Sequence, residues 1–452
     1  MNRRIEAILE KYRDEMTEKL QELIRIESVT AGEDTVRTAE APYGEDTRKA
    51  LDYMMKLAES KGFECTNYDY HACELNFGER KEDAVGIVSH LDVVPAGGTW
   101  KYPPFSGELH DGRIYGRGAV DDKGPAIASF YAALAIKESG LPLNKNITQI
   151  LGCNEEGGAF PCIRHYLENA DRIPSCGIVP DSYYPICFSE KHFANVKLTA
   201  SAGDMSAKAA GRRLISIAGG EAINAVPACA EAVLEAADGN GQETVKKTGM
   251  TAHASTPEQG DNAIAKLINE MAGWEFEPAA ICDAIKDLSK LMGRDTDGTG
   301  LGIDLEDETG RTTNNMGLIT YEDGVLTVES NMRLPLSMDR AALEDKMEKA
   351  VAGTGFDFEL TYFIDGFYID PEEEPACTLI DVYREETGEM ESQPFANGSG
   401  SYARIMDHFV PFGIARQDEA LMFHVEDESI TTERLFESAR IYAEALYRLA
   451  VK

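Results

Sequence analysis

Ser89-His90-Leu91-Asp92-Val93-Val94-Pro95 decides how the rest of the chain is read. The run ahead of it, Ala84-Val85-Gly86-Ile87-Val88, is short, apolar and rich in β-branched residues, and predicts a buried strand that ends at His90. In extended chain, residues two apart project to the same side. Asp92 is therefore expected to reach one imidazole nitrogen of His90 while the other nitrogen faces outward. That pairing suits a metal ligand and the group that clamps it. It suits equally a core histidine followed by a turn aspartate, and the pair alone does not separate the two.

Working outward, Ile5, Ile8, Leu9, Tyr12, Met16, Leu20 and Leu23 recur at helical spacing, and a second helix is expected from Asp46 to Gly62. Downstream, residues 96–118 form a Gly- and Pro-rich loop, the kind of segment that presents functional groups. Pro125 opens a helix that Gly140 closes, Ile147 to Cys153 predicts a strand, Phe160 to Asn169 a short helix, and Cys176 to Val179 a strand ending at Pro180-Asp181. Strands alternating with helices predict an α/β domain with a mostly parallel sheet and helices on both faces.

After about Lys191 the pattern changes. Val196-Lys197-Leu198-Thr199 and Val325-Leu326-Thr327-Val328-Glu329-Ser330 alternate as antiparallel strands do, with helices expected around Asn262 to Met271 and Arg340 to Val351. The expected organisation is a first domain at 1–190, an inserted α+β domain at 191–375, and a return to the first domain at 376–452, with the acidic, proline-flanked run Asp370 to Pro375 as linker.

The 44 basic and 79 acidic residues give a formal charge of -35, which repels phosphate backbones and anionic lipid, so neither nucleic acid nor a membrane is expected as partner. The N-terminal residues lack the apolar core of a signal peptide and no run is long enough to span a bilayer. Nine cysteines without a CxxC pair fit reduced thiols, and the expected location is the cytoplasm.

Three predicted strand ends carry acidic or imidazole groups: His90 with Asp92, Glu155-Glu156 after Cys153-Asn154, and Asp181 after Val179-Pro180. Parallel sheets gather functional groups at the carboxyl ends of their strands. Asp121, in Gly116-Arg117-Gly118-Ala119-Val120-Asp121-Asp122-Lys123-Gly124, is a fourth candidate. Carboxylates collected in a low-dielectric crevice repel one another unless cations neutralise them, and His with carboxylate suits zinc, cobalt or manganese. Of the adjacent pair Glu155-Glu156, one is expected to bind metal and the other to act as base. Glu-Glu before Gly-Gly also suits a solvated turn, and the Gly116 to Gly124 segment could cradle a phosphate, although it lacks the GxGxxG and GxxxxGK[ST] spacings.

In this order, His90 to Pro95, Gly116 to Gly124, Asn154-Glu155-Glu156 and Pro180-Asp181 resemble the four signatures of the co-catalytic metallopeptidase family that includes PepV-type dipeptidases, carnosinases, carboxypeptidase G and desuccinylases. The similarity extends over nearly the whole chain and is nearest in loop style to the PepV-like Xaa-His dipeptidase branch. The resemblance implies a catalytic domain interrupted by a lid. It implies two divalent metal ions, zinc first with cobalt or manganese as alternatives. His90, Asp121 and Asp181 would hold one ion and Asp121, Glu156 and His424 the other, with Glu155 as general base and Asp92 orienting His90. His424 lies in Phe423-His424-Val425-Glu426-Asp427-Glu428, similar to the family's HxxxE ending. A cis peptide after the bridging aspartate, Asp121-Asp122, is a further family feature.

In the inserted domain, Gly249 to Pro257 is similar to the family's lid motif, whose histidine, here His253, stabilises an oxyanion. Asn224 matches a second lid donor, Arg333 the arginine that grips a substrate carboxylate, and Gly398, Ser399 and Gly400 the glycine loop beside it. Asn154 and Ser189-Glu190-Lys191-His192 depart from the family pattern, which leaves preference at the substrate's amino-terminal side open. The implied activity is hydrolysis of dipeptides or other short peptides with a free C-terminal carboxylate. The alternatives are a deacylase or desuccinylase of N-acyl amino acids on the same site, and a non-catalytic metal- or peptide-binding homologue. The large lid implies a monomer, with a dimer left open.

Overall fold

The helix Arg3–Ile24 forms where the periodicity places it: Ile5, Leu9, Tyr12, Met16, Leu20 and Leu23 are buried on one face, and the Asn2 side chain accepts from Arg4 N at 3.0 Å to cap its start. The computed structural model describes all residues except 33, 80, 204–211, 236–240, 294 and 418–422. The chain forms two units, Met1–Phe188 with Tyr368–Phe395 and Gly400–Lys452, and Ser189–Phe367 with Ala396–Ser399. The chain re-enters the first unit at Tyr368, ahead of the acidic run expected as linker. Ile369 N donates to Phe188 O at 2.8 Å, and Pro375 stands at the start of the helix Ala376–Thr387.

The first unit is built on a six-stranded sheet in the order Glu64–Tyr68, Ala72–Phe77, Asn146–Gly152, Ala84–His90, Cys176–Val179, Phe409–Pro411. The last four strands are mutually parallel and the first two join antiparallel, so the sheet is mostly parallel. Helices cover both faces. On one, the buried Gln149 amide donates to Ala126 O and Ser129 Oγ of the helix Lys123–Ser139. On the other, Thr148 and Asn76 hydrogen-bond each other, and Glu74 accepts from Tyr166 of the helix Pro161–Asn169. Helix Lys123–Ser139 is buried nearly all round, packed by Arg3–Ile24 and Thr432–Val451.

The hairpin Glu64–Tyr68/Ala72–Phe77 is absent from the sequence reading. Its strands, Glu-Cys-Thr-Asn-Tyr and Ala-Cys-Glu-Leu-Asn-Phe, are poor in β-branched residues. Its turn uses Asp69 and Tyr70 at positive φ, with Asn67 Oδ1 accepting from Tyr70 N at 2.8 Å, rather than an Asn-Gly or Asp-Gly pair.

In the sheet centre, Phe409 fills the slot that two glycines leave. A Cβ on Gly86 would lie 2.4 Å from the Phe409 ring, and one on Gly177 would lie 2.2 Å from Gly86 O. Gly86→Ala is expected to destabilise the protein by about 1–3 kcal/mol, read as a lower urea midpoint at unchanged slope. An unaltered midpoint would show that Phe409 moves aside freely.

The second unit carries a seven-stranded antiparallel sheet in the order Gln242–Thr248, Cys229–Glu235, Arg213–Gly219, Thr313–Glu322, Val325–Leu334, His192–Ser201, Asp357–Ile364. Its core joins inward residues such as Val196, Leu198, Leu326 and Val328 to Ile264, Leu267 and Ile268 of Ala263–Met271, Ile285 and Leu288 of Ala279–Leu291, and Leu343 and Met347 of Arg340–Val351. Helix Ala279–Leu291 went unread in the sequence, although Ile281, Ile285 and Leu288 stand at helical spacing.

Candidate functional site

The register of the parallel strands sets His90 opposite Gly152 and Ile87 opposite Ile178, so three neighbouring strands end within two residues of one another at the carboxyl end of the sheet. His90 closes its strand, Glu155 and Glu156 follow Gly152, and Asp181 follows Val179. Asp121 comes from the loop that enters helix Lys123–Ser139. That loop lies so close to the helix start that a Cβ on Gly124 would be 2.1 Å from Ala119 O. The Asp121-Asp122 peptide bond is cis, as the resemblance implied.

The six side chains converge. His90 Nε2 lies 2.9 Å from Asp121 Oδ1 and 3.7 Å from Asp181 Oδ2. His424 Nε2 lies 2.9 Å from Asp121 Oδ2 and 3.1 Å from Glu156. Asp121 thus presents one oxygen to each histidine. One atom each from His90, Asp121 and Glu156 lie within 4.8 Å of one another, as do one each from His90, Glu155 and Asp181, so either trio could hold a metal ion. Imidazole and carboxylate donors without thiolate fit zinc, cobalt or manganese.

Asp92 behaves differently from the expectation. His90 Nδ1 meets the Asp92 backbone carbonyl at 2.8 Å, while the Asp92 carboxylate is 3.6 Å away, beyond a hydrogen bond. The carboxylate instead accepts from Glu155 N at 3.0 Å and Glu156 N at 3.2 Å. It pins the backbone of the turn that carries both glutamates, a link between residues 63 and 64 positions apart that no local pattern reveals.

Electrostatics follow from burial. Burial and the surrounding carboxylates push Glu155, Glu156 and Asp181 above the usual carboxylate range. Burial opposes charge on His424 as well, but Asp121 and Glu156 outweigh it and raise the imidazole to about 11; His90 is raised in the same way by Asp121 and Asp92. Asp121 is held far below its ordinary value, its burial overcome by His424 and His90. Two carboxylates 4 Å apart repel by about 4 kcal/mol at an effective dielectric of 20, so the cluster calls for cations.

The remaining candidates, Gly400 excepted, lie in the second unit. Ala254 N donates to Asn224 O at 2.9 Å and Ala225 bridges to His253, so Asn224 and His253 share one corner. His253 Nδ1 lies 2.7 Å from Ser255 Oγ. Arg333 is buried, donates to Asn331 Oδ1 at 3.0 Å and Gly398 O at 2.7 Å, and lies 4.0 Å over the Phe193 ring. A Cβ on Gly398 would lie 3.0 Å from the Ser255 side chain, Ser399 N donates to Asn397 Oδ1 at 3.1 Å, and Gly400 falls in the first unit.

The sequence reading missed Asp122, which is buried and accepts from His90 N at 3.0 Å, and the role of Glu428. Adjacency to Asp121, in the motif and in the expected cis peptide, is the one signal that Asp122 gives in the sequence.

The sequence signature described as Peptidase family M20/M25/M40 matches residues 86–448. A Bacillus subtilis protein named "Putative dipeptidase YtjP" is 33% identical, with all of both chains covered. Among solved structures, human carnosine dipeptidase 1 superposes with a TM-score of 0.63 at 15% identity, covering 99% of each chain. Aminoacylhistidine dipeptidase from Vibrio alginolyticus gives 0.52 at 15% identity, covering 96% of each. No helix among the described residues is long and apolar enough to cross a membrane.

Proposed function

The chain belongs to peptidase family M20/M25/M40, and on that footing we propose that it is a dinuclear metallopeptidase of the cytoplasm that hydrolyses dipeptides with a free C-terminal carboxylate. The observation that carries this reading is the convergence of His90, Asp121, Glu156, Asp181 and His424 beside the buried Glu155 at one sheet edge. His90, Asp121 and Asp181 would hold one ion, and Asp121, Glu156 and His424 the other, with zinc the preferred metal. Bound there, divalent ions supply charge neutralisation and Lewis-acid polarisation of a carbonyl.

Glu155 takes a proton from the attacking water and passes it to the leaving amine. Asp92 holds the Glu155-Glu156 turn so that the two glutamates keep separate tasks. His253 and Asn224 donate to the developing oxyanion. Arg333, its guanidinium already oriented by Asn331, Gly398 and Phe193, pairs with the substrate carboxylate, a planar two-point contact that lysine makes poorly. A monomer is the proposed functional state.

The test is hydrolysis of a panel of dipeptides, Xaa-His included, and N-acyl amino acids, by protein loaded with zinc, cobalt or manganese and then treated with chelator. Metal-dependent release of free amino acids from dipeptides is expected. Cleavage of acyl amino acids alone would replace the dipeptidase reading with a deacylase, and no hydrolysis of any substrate by metal-loaded protein would leave a binding protein.

A further inference from the structure

The three proposed ligands of the second ion, Asp121, Glu156 and His424, come from chain segments far apart in sequence, and a ligand set binds well only when its geometry is held in advance. One buried ion pair ties two of those segments together. Glu428 Oε2 accepts from Arg117 Nη1 at 2.7 Å, and neither residue is more than 2% exposed. Glu428 Oε1 accepts from three backbone donors of the Asp121 loop, Gly118 N at 3.0 Å, Val120 N at 2.9 Å and Asp121 N at 3.2 Å. Arg117 in turn donates from Nη1 to Val425 O at 3.1 Å, next to His424, and from Nη2 to Ala96 O at 3.4 Å. The backbone is stitched as well, with Gly116 N donating to Glu428 O at 2.9 Å. One carboxylate therefore collects the loop that ends in Asp121, while its arginine partner grips the loop that carries His424.

We propose that Arg117 and Glu428 form a positioning pair that sets the spacing between Asp121 and His424 and thereby the affinity of the second metal position. The inference rests on the dinuclear reading above and concerns residues that touch neither substrate nor ion. It also gives the HxxxE ending a physical meaning. The histidine faces Asp121 from one side, and the glutamate four residues on holds the backbone of the same aspartate from the other.

The test uses the full chain, stripped of metal and titrated with Zn2+ and with Co2+. Glu428→Gln keeps an oxygen for the three backbone donors but turns an NH2 toward the guanidinium. Arg117→Lys keeps the charge but cannot span Glu428, Val425 and Ala96 together. Both variants are expected to take the first ion as the wild type does and the second about 10- to 100-fold more weakly. The visible Co2+ spectrum at two equivalents should change, and kcat should fall while KM for a dipeptide stays within about twofold. Leu446→Ala, a buried position in the last helix, supplies a generally destabilised control.

Wild-type second-ion affinity and an unchanged Co2+ spectrum in either folded variant would overturn the proposal, as would equal weakening in Leu446→Ala at a matched fall in unfolding temperature. A wild-type chain that takes up fewer than two ions overturns the dinuclear reading and this inference with it. Two ions in the wild type with unaffected variants overturns the inference alone.

Discussion

Glu155→Gln is expected to lower kcat by about 10²- to 10⁴-fold, the usual contribution of a positioned general base, with metal content unchanged. The physical case is environmental. Burial, helped by Asp181, Glu156 and Asp121, raises the Glu155 carboxyl well above the ordinary range, so it holds protons better than an exposed glutamate does. Its backbone is fixed by Asp92, so the side chain starts from a set position. A competing role is visible in the same geometry, because one atom of Glu155 lies within 4.8 Å of donor atoms of His90 and Asp181, close enough for the three to share an ion. Metal analysis beside steady-state kinetics separates the two. Loss of an ion in Glu155→Gln would place this residue in the ligand set and remove it from proton transfer.

Asp121→Ala is expected to abolish both metal binding and turnover, the largest single effect in the molecule, since each Asp121 oxygen faces a different histidine. The readout is thermal unfolding with and without ions. An ion at a hundredfold excess over its dissociation constant adds about 2.7 kcal/mol of stability, so the wild type should rise by several degrees and Asp121→Ala should not.

The pH dependence has a definite sign. A group whose folded pKa lies above its unfolded value contributes stability that is present at low pH and lost as pH rises through the folded value. His90, His424, Glu155, Glu156 and Asp181 are all of this kind, so ion-free protein loses stability from the three carboxylates as pH rises above about 4 and from the two histidines as it rises above about 6.5. Asp121 acts in the opposite direction and loses its contribution only in strong acid. Ion binding displaces the protons on the histidines and carboxylates, so the gain in unfolding temperature on adding metal should widen from about pH 5 to 8. A constant or shrinking gain, or calorimetry showing no proton release, would mean that these side chains are not the ones that bind the ions.

Much of this was legible without coordinates, because the signals were local. The Ala84–His90 strand announces itself through a β-branched apolar run, the first and last helices through their apolar period, and the parallel sheet through the alternation of the two. Once strand ends are located, a parallel sheet obliges His90, Glu155, Glu156 and Asp181 to share an edge. Local composition fell short where neighbours supply the order. The hairpin Glu64–Tyr68/Ala72–Phe77 is strand because it caps the Asn146–Gly152 edge, and not because its residues favour extension.

The sequence by itself determined which side chains could meet, since motif order and strand ends follow from patterns only a few residues wide. Tertiary structure alone decided what each polar atom does on arrival. Asp92 gives His90 its carbonyl and keeps its carboxylate for the Glu155-Glu156 turn, and Glu428 reaches more than 300 positions back to hold Arg117 and the Asp121 backbone. Buried donors and acceptors must be satisfied by whichever partner the fold brings within 3 Å, and that partner is set by packing across the whole unit, which no window of sequence contains.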